Sequence, residues 1–274
     1  MNNASLHRIA DAIAESIVCS CGHAHAPAKA RVNNAYFAKR DRRLKPYDRA
    51  MRLALRSVWA EELRIMLANL RKLKGVGVKF STSIIDLILY PKGKLTAAMA
   101  ASLRSILSSE LEAMGQHALD DIRLDAAFDV DNPRVQDWLD TYSVKLSQNL
   151  EDVNEQMIRE QLIDGINAGE GIPELTARVH DLFDSWDRAR AEMIARTETI
   201  RASNQAALEA YHESGVVKFK TWLPGPESCD ICVDLGLKDP IPLDEPFFDD
   251  DYGDGQGPPA HPHCVCAVAA IIED

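Results

Sequence analysis

Apolar residues recur at three- and four-residue steps over most of this chain, the spacing of one buried helix face. Leu6, Ile9, Ile13 and Ile17 form the first such run, which Gly22 and Pro27 break. Leu53, Leu55, Trp59, Leu63, Met66, Leu67 and Leu70 predict a helix from about 47 to 73, ended by KGVGVKFST. STSIIDLILYPKGK reads as a short helix, and 94–121 as a longer one. Asn132 and Pro133 are a cap and first turn for the next helix. A further helix spans 147–168 and stops at GEG, and Pro173 opens a short one. Ser185 then caps a long helix that Gly215 terminates. Beyond Gly215 the period changes to two: VVKFKTWL and the terminal VCAVAAII predict strands. Between them lie about 40 residues rich in Pro, Gly and Asp, too many to stand unsupported in a compact domain.

The pattern therefore predicts a mainly α protein, with helical N-terminal and middle regions and a small C-terminal α+β domain. It divides into a basic arm (1–80), a helical connector (81–146) and a C-terminal domain (147–274). No apolar run approaches the roughly 20 residues of a membrane span. The N-terminus lacks the cationic start and apolar stretch of a signal peptide, so folding in the cytoplasm is expected. Net charge is −11 but unevenly spread: residues 1–79 hold 16 Lys and Arg against 6 Asp and Glu, the remainder 15 against 36. Such asymmetry suits contact with nucleic acid or an acidic partner. Arg40, Arg42, Arg43, Lys45 and Arg49 are the densest candidates for duplex DNA phosphates. The plainer alternative is ordinary solvated helix faces.

The six cysteines fall in two groups, each beside histidines, which in a cytoplasmic chain points to metal before disulfides. Cys229 and Cys232 form a C-x-x-C knuckle, and HPHCVC supplies His261, Cys264 and Cys266 about 30 residues later. Tetrahedral zinc takes four ligands and five are offered. Cys229 and Cys232 form one pair, and the second comes from His261, Cys264 and Cys266, with His263 turned away. Two thiolates plus two further ligands make a closed structural site, and a zinc staple would hold the long loop. Its binding free energy, about 10–16 kcal/mol in small modules, outweighs a closure entropy that grows only logarithmically. Cys19, Cys21, His23 and His25 alternate along CSCGHAH and are a second, weaker metal candidate.

ARTE at 195–198, Asn204, Tyr211, Lys220, Trp222, the C-x-x-C and the PPAHPHCVC ending resemble the phage Mu F-like head morphogenesis family of minor capsid proteins. The resemblance covers roughly 150–270. Val265 stands where the family usually has a basic residue, and His263 replaces a more typical Asn. The resemblance implies a minor head protein in the virion, at or near the portal vertex, with the portal protein and neighbouring capsid proteins as partners. It also implies assembly in the host cytoplasm, with packaged DNA as a further contact.

Enzyme readings are weaker. No H-x-E precedes the cysteines as a zinc deaminase needs, and no H-E-x-x-H is present. The Arg196 and Glu198 pair is expected to be a structural ion pair tying its helix to the loop. The rival is a toxin-like or ADP-ribosyl-transferring effector carried in the head, which a polar pocket near those residues would favour. The acidic DEPFFDDDYGDG, with Asp249, Asp250, Asp251 and Asp254, lacks calcium-loop spacing and reads as solvated.

Overall fold

The computed structural model describes residues 34–73, 84–248 and 255–272. The expected helix at 1–18, the Cys19–His25 cluster and Asp249–Asp254 lie outside the described residues. The chain is mainly helical. Helix α1 (Asn34–Leu73) is followed by α2 (Ile85–Ile88), α3 (Thr96–Asp121), α4 (Pro133–Asn167) and α5 (Ile172–Ser185). A π-helical turn, Trp186–Arg190, leads into α6 (Ala191–Ser214). Strand β1 (Phe219–Leu223), α7 (Asp230–Gly236), β2 (Ile241–Pro242) and β3 (Ala267–Ile271) complete the fold.

Three boundaries differ from the sequence reading. Helix α1 begins 13 residues earlier than the expected 47 and carries Pro46 inside it. Phe37, Leu44, Met51, Leu55 and Trp59 are all buried at heptad-like spacing, and this packing outweighs the hydrogen bond Pro46 removes. Leu53, expected on the buried stripe, is 55% exposed. The two helices expected on either side of residue 147 are one, α4. No Gly or Pro stands between Arg134 and Asp164, and Val135, Leu139, Leu146, Leu150, Ile158 and Leu162 continue one buried face. Its start is as read: Asn132 Oδ1 accepts the Arg134 N–H at 3.0 Å, and Pro133 is the first helical residue. Ser185 caps nothing. Its hydroxyl donates back to Leu182 O at 2.6 Å, and the helix continues through the π turn. Burial of Trp186 against Trp59 and Phe183 rings, at 5.6 and 4.6 Å, holds that turn in place. Gly215 does end α6, at φ +63°.

The described residues form two compact units. One contains 34–48, 107–136, 195–248 and 255–272; the other contains 49–73, 84–106 and 137–194. The first holds the sheet, ordered β2-β1-β3 and antiparallel throughout. Trp222 pairs with Val268 and Leu223 with Ala267, so both expected strands form and lie side by side. The sheet packs on the N-terminal turns of α1 through Phe37, Leu223 and Ala267. The long loop is not structureless: α7 and β2 lie within it. Its far end is held by Lys220, a fully buried strand residue that donates to Gln256 O at 2.8 Å and Gln256 Oε1 at 2.7 Å.

Candidate metal centre

The strand pairing brings the two half-sites together. Leaving β1, the chain turns at Gly225, where a Cβ would meet Val265 Cγ2 at 2.6 Å and Val265 O at 2.8 Å. Only a glycine lets the knuckle lie this close to the strand that enters β3. Cys229 is the N-cap of α7 and Cys232 sits in its first turn, so both thiols face the same point. On the other side, the Cys264 N–H donates to His261 O at 3.1 Å and closes a turn. His263 takes the left-handed φ of +64° within it and is exposed, outside the cluster as expected.

The five expected donors converge. Cys229, Cys232 and His261 form one triad, and Cys232, Cys264 and Cys266 a second, with the ligand atoms of each within 4.8 Å of one another. Cys232 is common to both. Its sulfur lies 3.7 Å from Cys264 Sγ and 3.3 Å from His261 Nε2, and Cys229 Sγ is 3.2 Å from the same nitrogen. Zinc–sulfur bonds of about 2.3 Å and zinc–nitrogen bonds of about 2.0 Å give tetrahedral edges of about 3.8 and 3.5 Å, close to these separations. His261 Nδ1 is 2.7 Å from Pro262 O. Only an N–H on Nδ1 satisfies that carbonyl, so the lone pair is on Nε2, facing the thiols.

The electrostatics fit a cation. Cys266 is pulled far below the ordinary thiol range by hydrogen bonds from Cys232 and Cys264, aided by the Ser228 hydroxyl and the Gly225 N–H. Cys232 is pushed up by its bonds to Cys264 and Cys266 and by burial. For Cys264 the Cys232 bond pulls down, but the Cys266 bond, burial and the Cys266 charge together push it up to about 11. Among packed thiols, ionising one makes ionising its neighbours costlier. A divalent cation would hold all of them as thiolates. The donor set could hold a metal ion.

Second-layer contacts on this centre were mostly invisible in the sequence. Arg40, expected to face DNA, is 4% exposed and points inward, its Nη1 donating to Cys266 O at 2.9 Å and Nη2 to Val265 O at 2.7 Å. That placement removes it from the candidate phosphate contacts. Arg42, Lys45 and Arg49 are exposed and Arg43 is half-buried. Asn204 grips the same segment: its Nδ2 donates to Cys266 O at 3.2 Å and its Oδ1 accepts the Val268 N–H at 2.9 Å. Arg196 and Glu198, two residues apart on a helix, face different neighbours: Arg196 pairs with Asp41 at 2.7 Å and Glu198 with Arg201 at 3.4 Å. The first pair ties α6 to α1 and not to the loop.

Residues 156–269 match the family described as Phage Mu protein F like protein. Over 116 residues the chain is 29% identical to the uncharacterized protein YqbB of Bacillus subtilis (strain 168), a stretch covering 42% of this chain and 38% of that protein. No solved structure matches. The matched stretch contains both half-sites of the cluster, the Arg196 helix, Asn204, β1, β2 and the first residues of β3, and over it the chain is similar to the phage Mu protein F-like family.

Proposed function

We propose that this chain is a phage minor head protein acting by binding in head morphogenesis, at or near the portal vertex. The supporting observation is the family match over the segment whose donors converge. In this reading the C-terminal part is a zinc-stapled α+β module within a mainly α protein. One zinc ion draws Cys232 with Cys229 and His261 from one triad, and Cys264 or Cys266 from the other. The staple supplies folding free energy to a loop with little apolar content of its own. The exposed Arg42, Lys45 and Arg49, with the half-buried Arg43, meet packaged DNA. The remaining surfaces meet the portal protein and neighbouring capsid proteins. The site of action is the virion head, assembled in the host cytoplasm, and no described helix is long and apolar enough to cross a membrane.

The effector reading is less well supported. The cavity beside α6, lined by Tyr36, Arg40, His117, Ser203, Asn204 and Tyr211, has a volume of about 30 Å³. Ligand pockets run to about 300 Å³ or more. The deciding experiment is to purify assembled heads and find where this chain sits. Density for it beside the portal supports the proposal; heads that form normally and contain none of it refute it.

A further inference from the structure

The N-terminal turns of α1 have two faces with different tasks. Phe37, Arg40 and Leu44 are buried, while Lys39, Arg42 and Lys45 are exposed. The buried face meets the metal loop itself. Arg40 spans the carbonyls of Val265 and Cys266, and its guanidinium stacks on the Phe37 ring at 4.8 Å. Asp41 continues the chain of contacts, reaching Arg40 at 3.5 Å with one oxygen and Arg196 at 2.7 Å with the other.

Two features make this contact more than packing. First, Val265 and Cys266 are joined to two candidate ligands, Cys264 and Cys266 itself, so whatever fixes their carbonyls fixes the ligand backbone. Second, Arg40 is a buried, permanently charged group, and the carboxylate of Asp41 stands from it at the long distance of 3.5 Å. A zinc ion with three thiolates and one neutral imidazole carries a net charge of roughly −1, which would complement the guanidinium.

We propose that Arg40 is a positioning residue for the metal loop, and that closing the cluster fixes 34–48 and thereby presents Arg42 and Lys45 to duplex DNA. The DNA part rests on the DNA contact proposed above, and the coupling of metal to helix rests on the proposed zinc staple alone. An emptied cluster releases the two carbonyls, Arg40 loses its anchor, and the first turns of α1 loosen. The basic face then no longer has a fixed spacing to offer a row of phosphates. Metal loading and polyanion binding are linked through one side chain.

The test uses the full chain, zinc-loaded and chelator-stripped. Hydrogen exchange of amides 34–48 should speed by about tenfold or more on stripping. Zinc transfer to a chromogenic chelator should be about 10–100-fold faster in Arg40→Ala than in wild type, intermediate in Arg40→Lys and unchanged in Arg42→Ala. Lysine keeps the charge but cannot fork between two carbonyls, so partial rescue separates positioning from simple bulk. Anisotropy with a short duplex at low salt should show DNA binding weakened by stripping and by Arg40→Ala alike. Equal exchange of 34–48 with and without zinc overturns the coupling, as does an unchanged transfer rate in a folded Arg40→Ala chain. If Arg40→Ala does not fold, the wild-type exchange comparison and Arg40→Lys decide. A loaded wild-type chain that binds no duplex sinks the DNA reading alone, because exchange and transfer still judge the coupling.

Discussion

Glu62 is fully buried, with Tyr90 Oη donating to one carboxylate oxygen at 2.9 Å and Asn154 Nδ2 to the other at 3.0 Å. Burial pushes its pKa up to about 7, against the partial relief of those two bonds. The folded form therefore holds a proton that the unfolded chain has lost between about pH 4.5 and 7. Stability falls as pH rises through that window, by on the order of 3 kcal/mol at most. Glu62→Gln should flatten the slope, measured by urea unfolding at pH 4.5, 6 and 7.5 with tryptophan fluorescence as the probe. A wild-type chain that gains stability over the same range would contradict this. The metal residues make a second set of expectations. Elemental analysis should find about one zinc per chain bound at the C-terminal cluster. Cys229→Ser and Cys232→Ser should abolish it, and His263→Ala should leave it in place. Of Cys264→Ser and Cys266→Ser, the variant that keeps its zinc identifies the outer thiol.

Among the elements, the sheet depends on a close approach that one residue permits. Gly225→Ala pushes a methyl into the Val265 backbone, so knuckle and strand must move apart. The expected cost is about 1–3 kcal/mol, with faster zinc loss. Thermal melting and chelator transfer would show both, and a variant matching wild type in each would show that the turn has slack. The helices teach a complementary lesson. Helix α1 passes over Pro46, and α5 continues through a π turn to α6. Cap and breaker residues set helix ends only where the packing on both sides allows an end. Asn132 and Gly215 lie where buried stripes stop, and they act as read. Pro46 and Ser185 lie inside continuing stripes, and burial of Leu44, Met51 and Trp186 overrides them.

For the whole molecule, the unit that holds the metal cluster is assembled from separated stretches, 34–48, 107–136, 195–248 and 255–272. The sequence divides naturally into consecutive blocks, but this unit does not follow them. The cap and first turn of α4 serve α6 directly: Arg134 pairs with the buried Glu209 at 3.0 Å, and Asn132 donates to Glu213 at 3.2 Å. A fragment of 147–274 lacks Phe37, Arg40 and Arg134, so its sheet would expose an apolar face and the Cys266 carbonyl and Glu209 would lose their partners. It should be loosely folded or aggregated when isolated, by circular dichroism and sedimentation. Deleting 1–80 should weaken zinc retention as well as recruitment to heads. A compact, zinc-retaining 147–274 fragment would show that the C-terminal stretch suffices by itself.

The sequence by itself determined the helical class, the two main strands and the five donors of the candidate site. Those features rest on local periodicity and on residue chemistry, which neighbouring positions carry. Cys229 and Cys232 three apart are a knuckle in any surroundings, and VVKFKTWL alternates whatever it pairs with. Only the tertiary structure decided that Arg40 turns inward to the Cys266 carbonyl, 226 residues away, and that Arg196 takes Asp41 as its partner. It also decided that Lys220 is buried and that Gly225 must have no side chain. A charged side chain in a helical run has the same local signature whether it faces solvent or a carbonyl. The difference lies in which distant backbone packs against it, and that is a property of the folded chain alone.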